Sequence, residues 1–289
     1  MTLRGVVVSA DGRLRAPWRI LVFLGITLVL FVAASAMLEP ALAGAAQLTG
    51  VGETSDGIAM LIALASAHAI MIKGIDRGSW SYAWLDRGAA NRRTVGFGLA
   101  LGAVPIALAS MLLLAFGWLA VEPGGSGSWA VAAVKITIVL AIAALYEELF
   151  SRGYLLAAMA DLMGMPAAVA VSSIAFGLLH LFNPGASAQP IILVTLAGIF
   201  IAAILLATRS LYAAWSAHFA WNWVMAVPMH VSVSGVVVLQ PRYQTVESGP
   251  DWATGGAWGP EGGAFAGAAM LAGIAYLYFR HAKPKTQNA

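Results

Sequence analysis

Two adjacent carboxylates, Glu147 and Glu148, stand inside the apolar run Val139–Arg152, and Arg152 follows Glu148 by four residues. Ionised groups at such a position are costly, about 2.5–3.5 kcal/mol each at the middle of a membrane helix. They are tolerated where they face the inside of a helix bundle and are paired, used for chemistry, or both. Two further polar clusters lie on separate apolar runs: Phe176-Gly177-Leu178-Leu179-His180, and His218-Phe219-Ala220-Trp221-Asn222. A carboxylate can act as a general base, and its basicity grows where solvent is withdrawn. An Asn amide and one His ring nitrogen can donate to a developing negative oxygen. These residue types suit hydrolysis by an activated water. Ser151, Ser172, Ser173 and Ser216 lie nearby, but no motif gives any of them a base.

The elements that carry these residues are membrane helices. Of 289 residues, 60% are hydrophobic and 10% charged, and the mean hydropathy is +0.83. Such a composition excludes a soluble domain of this length and predicts an all-α polytopic membrane protein. With no cysteine, disulfides, a thiolate nucleophile and a Cys-ligated zinc are excluded. The net charge of +3 does not point to nucleic acid, because the basic residues fall between apolar spans.

Eight spans are predicted, at 20–38, 57–72, 95–120, 135–159, 166–182, 190–207, 211–228 and 264–279. Basic residues cluster before the first span (Arg4, Arg13, Arg15, Arg19), between the second and third (Lys73, Arg77, Arg87, Arg92, Arg93) and after the last (Arg280, Lys283, Lys285). Segments 39–56 and 121–128 hold only Glu39, Glu53, Asp56 and Glu122, and 229–263 sets Arg242 against Glu247, Asp251 and Glu261. By the positive-inside rule both termini are cytoplasmic, and Lys135 snorkels to the outer interface. The first apolar run suits a retained anchor better than a cleaved signal, at about 19 residues. Localisation in the plasma membrane follows, with the bilayer as one partner. Trp18, Trp80, Trp84, Trp118 and Trp129 sit near span ends as interfacial anchors.

Helix geometry tests whether the three clusters meet. Spans four and five form a hairpin turning near Asp161–Pro166, where Gly164 and Pro166 supply the break. Glu147 precedes Asp161, and His180 follows Pro166, by equal chain lengths, so each lies about 21 Å from that turn. His218 and Asn222 lie about 12 and 18 Å from the start of span seven at Ser210. All three clusters therefore share a layer. Glu148 and Arg152 share a helix face and can pair. Glu147 is turned about 100° away, which makes Glu148–Arg152 structural and Glu147 chemical, although Arg152 could also reach Glu147.

Glu147-Glu148-x-x-x-Arg152, continued by Gly153-Tyr154-Leu155-Leu156, then Phe176-x-x-x-His180, then His218-x-x-x-Asn222, resembles the CPBP family. Its members include the CAAX prenyl protease type 2 and bacteriocin-processing (Abi) intramembrane proteases. The resemblance covers residues 129–224. It implies that Glu147 is the general base, that His180 helps to hold and activate water, and that His218 and Asn222 stabilise the oxyanion. The candidate site is then Glu147, Glu148, His180, His218 and Asn222, with Arg152 as ion-pair partner. The implied substrate is a membrane-tethered protein or peptide, prenylated in the eukaryotic members. A divalent metal such as zinc would be held by His180, His218 and Glu147. The chain lacks a His-Glu-x-x-His helix, and a metal-free glutamate mechanism is favoured.

The expected organisation is one membrane domain in three parts: spans one to three with their basic loop (1–128), a four-helix catalytic core (129–228), and an outer loop with the last span and a basic tail (229–289). Segment 240–263, rich in Gly, Pro and Trp, reads as an irregular connector. His68 reads as a bundle residue with its hydrogen bonds satisfied, Phe176 as packing beside the site, and His230 and His281 as solvated. The polar clusters would also serve a membrane scaffold or immunity protein, where they fix helix packing, or a proton-coupled transporter. No inverted repeat supports transport.

Overall fold

The computed structural model describes residues 7–9, 12–49, 54–237, 239 and 241–282, with backbone alone for 40–49, 54 and 281–282. Arg4, Glu53, Lys283 and Lys285 of the charge count lie outside the described residues, as does the side chain of His281. Helices dominate. α1 (Ala16–Thr49) is followed by α2 (Thr54–Ala69), which winds into a π-helical turn at Ile70–Ile75. Short 3₁₀ turns at Trp80–Ala83 and Arg87–Ala89 lead to α3 (Arg92–Ala115) and a short strand, β1 (Leu119–Pro123). Then come α4 (Trp129–Arg152), α5 (Tyr154–Met163), α6 (Met165–Leu179), α7 (Ala188–Thr208) and α8 (Leu211–Ala226). β2 (Tyr243–Glu247), a single turn α9 (Asp251–Thr254), two 3₁₀ turns and α10 (Ala264–Ala282) complete the order.

Among the described residues, six helical runs are long and apolar enough to cross a membrane: Ala16–Glu39, Ser55–Ile75, Arg92–Ala115, Trp129–Met163, Met165–Phe182 and Ala188–Thr208. The chain is an all-α polytopic membrane protein with one small two-stranded sheet. The last two of the eight predicted spans fall on shorter helices, α8 with 16 residues and the apolar stretch Ala264–Arg280 of α10.

The turn between α5 and α6 is where the sequence places it. Gly164 adopts φ +81° and Pro166 opens α6, using glycine's access to positive φ and proline's fit to a first helical turn. Span four is not continuous, however. It breaks at Gly153, where the Tyr154 N–H leaves the helical ladder and donates to His68 Nε2 at 3.0 Å. His68 Nδ1 in turn donates to the Leu64 carbonyl at 2.8 Å, so both ring nitrogens are used. A methyl group at position 153 would strike His68.

Helix contacts are made by small residues, which let backbones approach where lipid offers no hydrophobic drive. Gly98 and Gly102 of α3 lie against Ala213 and Ala217 of α8, and Gly177 of α6 lies against Thr195 of α7. The Gly164 end of the bundle is tied by Arg19, which the charge count treated as a flanking cation. It lies within α1, 8% exposed, donating to Tyr154 at 2.9 Å, Asp161 at 2.8 Å and Asp76 at 2.8 Å.

Two expectations fail at the opposite end. Segment 240–263 is not irregular: β2 pairs antiparallel with β1, in register from Leu119–Glu247 to Pro123–Tyr243, and Trp258 is fully buried. His230 is not solvated. It is 1% exposed, bonded through Nδ1 to the Tyr243 carbonyl at 2.7 Å and stacked on the Tyr243 ring. Hydropathy alone does not show that a polar loop folds back onto itself, which is why both were missed.

Candidate active site

α4, α6 and α8 bring the three predicted clusters together. Glu148 and Arg152 are fully buried and joined by a bond of 2.9 Å from Arg152 Nη1 to Glu148 Oε1. The same oxygen accepts from His218 Nδ1 at 2.8 Å, since a carboxylate has no proton to give and the imidazole nitrogen must be the donor. His218 thus presents Nε2 on its far side, 3.8 Å from Glu147 Oε2. That separation is too long for a direct hydrogen bond and suits a bridging water. Glu147 keeps a partly exposed side chain, 26%, and makes no ion pair with Arg152.

His180 closes α6. Its Nδ1 donates to the Phe176 carbonyl at 2.8 Å, one turn back, which leaves the Nε2 lone pair for another group. Phe176 is packing, as expected: its ring lies 4.8 Å from that of His180, 6.0 Å edge-on to His218 and 4.3 Å beneath the Arg152 guanidinium. Two indoles that the sequence did not single out align α8 with α4. Trp215 donates to the Ala141 carbonyl at 2.9 Å and Trp223 to Thr137 Oγ1 at 2.9 Å. Their spacing of eight residues on one helix face was the available signal.

Glu147, His180, His218 and Asn222 line one cavity of ≈ 840 Å³. Its walls are otherwise mostly apolar, with Ile136, Val139 and Leu140 from α4, Leu179 at the end of α6 and Phe182 just beyond it, and Val233, Val236, Val237 and Leu239 from the segment after α8. A few convergent polar groups in a large apolar cavity are the usual form of a binding or catalytic site. Ser151 also lines it, whereas Ser172 and Ser216 donate their hydroxyls to backbone carbonyls. Among the described residues, no three His, Cys, Asp or Glu side chains are grouped so as to hold a metal ion.

Residues 128–224 match the family model described as type II CAAX prenyl endopeptidase Rce1-like. The match, confined to this segment, supports the CPBP/CAAX protease family. The matched residues run from the start of α4 to just past the His218–Asn222 motif, so they contain Glu147, Glu148, Arg152, His180, His218 and Asn222, but not the cavity walls after α8. Intramembrane endopeptidase chemistry is the activity of that family in general. No curated protein and no solved structure matches the chain.

Proposed function

We propose that the chain is an intramembrane endopeptidase that hydrolyses a peptide bond in a membrane-associated protein or peptide, with Glu147 as general base. The observation that carries this reading is the division of the two glutamates. Glu148 is consumed by Arg152 and His218, whereas Glu147 faces the cavity that His180, His218 and Asn222 share. A base, a water and hydrogen-bond donors are what amide hydrolysis requires.

In the proposed sequence a water held by Glu147 and by Nε2 of His180 gives one proton to Glu147 as its oxygen bonds to the scissile carbonyl carbon. The carbonyl oxygen becomes an oxyanion, which Asn222 Nδ2 and His218 Nε2 receive as donors. His218 donates from Nε2 when its ring carries both protons, and Glu148 on Nδ1 supplies the compensating charge. The tetrahedral intermediate collapses, the C–N bond breaks, and Glu147 returns its proton to the leaving amine. All steps use protein groups and water. The apolar walls suit an apolar segment of the substrate. Eight crossings, with both termini and the basic segment 73–93 in the cytoplasm of a plasma-membrane protein, complete the proposal.

The test compares new protein termini in membranes of cells expressing the wild-type chain or Glu147→Gln at equal abundance. Termini that vanish in the variant support proteolysis and identify the substrate. Identical termini, with both proteins folded, would favour a scaffold. A chelator added to the same membranes should leave the termini unchanged; their loss would return the metal alternative.

A further inference from the structure

One buried carboxylate takes no part in these steps. Glu261 belongs to the 3₁₀ turn Pro260–Gly262, outside the family-matched residues, and is only 9% exposed. Burying a carboxylate is costly unless its oxygens are well bonded, and Glu261 accepts three bonds. Oε2 takes the Trp221 indole N–H at 3.0 Å. Oε1 takes the Ser234 backbone N–H at 2.6 Å and its hydroxyl at 2.8 Å.

Both partners adjoin the site. Trp221 immediately precedes Asn222 on α8. The Ser234 carbonyl accepts from Asn183 Nδ2 at 2.9 Å, and the Asn183 N–H donates to the His180 carbonyl at 3.1 Å. One carboxylate therefore links the turn carrying His180, the helix carrying Asn222 and the segment that roofs the cavity. Next to Ser234 the roof fits backbone to backbone. Gly235 has φ +79°, its N–H donates to the Trp258 carbonyl at 3.0 Å, and a methyl group there would strike the Pro184 carbonyl. Glu261 and Ser234 also line a small second cavity of ≈ 30 Å³ with His180, His218 and Asn222. It has room for about one or two waters among polar partners.

We infer that Glu261 is a positioning residue for the site: its carboxylate fixes Asn222 through Trp221, and fixes the roof over His180 through Ser234. The inference rests on the endopeptidase reading for its kinetic consequences, but the clamp itself can be measured without turnover. Glu261→Gln keeps an oxygen for Ser234 and loses the acceptor for the indole, whereas Glu261→Ala loses both arms. Hydrogen exchange of the full chain in detergent should quicken by about tenfold or more at 231–236 and 180–186 in Glu261→Ala, with α4 unchanged. Unchanged exchange in both segments would overturn the inference whatever the chain's activity.

With the peptide identified by the termini comparison as substrate, Glu261→Ala should lower kcat by about tenfold or more while KM stays within about twofold. In a Trp221→Phe background, Glu261→Gln should cost no more than about a further twofold in kcat, because the bond it breaks is already gone. A raised KM with unchanged kcat, or losses that multiply in the double variant, would overturn the positioning role. Absence of any Glu147-dependent cleavage by the wild-type chain would instead sink the endopeptidase reading, and the exchange result alone would then decide the clamp.

Discussion

Glu148 Oε1 accepts from Arg152 and His218 together, and this double use has an energetic consequence. Removing Arg152 leaves a buried carboxylate facing a single imidazole. Arg152→Ala should destabilise the chain by about 3–5 kcal/mol, visible as a lower unfolding temperature in detergent. The double variant Arg152→Ala/Glu148→Gln should lose less than the sum of the singles, and strict additivity would contradict the pair. At this scale much of the site was legible. A carboxylate in an apolar run is conspicuous, and the four-residue spacings of Glu148–Arg152 and His218–Asn222 place their partners on one face. Glu261 was not legible, because its burial depends on residues 229–263 folding back onto α8. No local pattern encodes that.

Among elements, the contact of α3 with α8 sets where His218 stands. Gly102 brings the two backbones so close that a methyl group would strike the Ala217 carbonyl, immediately before His218. Gly102→Ala should cost about 1–3 kcal/mol through overpacking and lower kcat as α8 shifts. An unfolding temperature and kcat equal to those of wild type would show that the contact has slack. The hairpin at Gly164 and Pro166 could be read from composition, since both residues act locally. The break at Gly153 could not, because its cause is His68 on α2, which takes the Tyr154 N–H across 86 residues of sequence. Likewise, the β1–β2 sheet pairs segments too distant and too short for periodicity to reveal.

For the whole molecule, charge and titration give two tests. The absence of cysteine makes single-cysteine labelling clean. In intact cells stripped of any outer layer, an impermeant thiol reagent should label Ser126→Cys and leave Gly88→Cys unlabelled until the membrane is opened. The reverse pattern would invert the proposed orientation. At the sheet end, burial pushes the Glu247 carboxyl up from 4.5 to about 7, opposed by a hydrogen bond from Thr254 and assisted by the charge of Asp251. The folded state therefore binds this proton more tightly than the unfolded chain. Its contribution to stability is full below about pH 4.5 and is lost as pH rises through about 7. Glu247→Gln should flatten that part of the decline in unfolding temperature between about pH 5 and about pH 8. An unaltered slope would remove Glu247 as its source.

In the proposed reaction Glu147 activates water for attack on a peptide bond. Its most direct test places purified chain in proteoliposomes with the peptide identified from cells, in ¹⁸O-water, and follows the new carboxyl terminus by mass. The wild-type chain should place one ¹⁸O in that carboxylate during a single cleavage, and Glu147→Gln should slow its appearance by about 10²–10⁴-fold. Cleavage by Glu147→Gln at the wild-type rate would contradict the account.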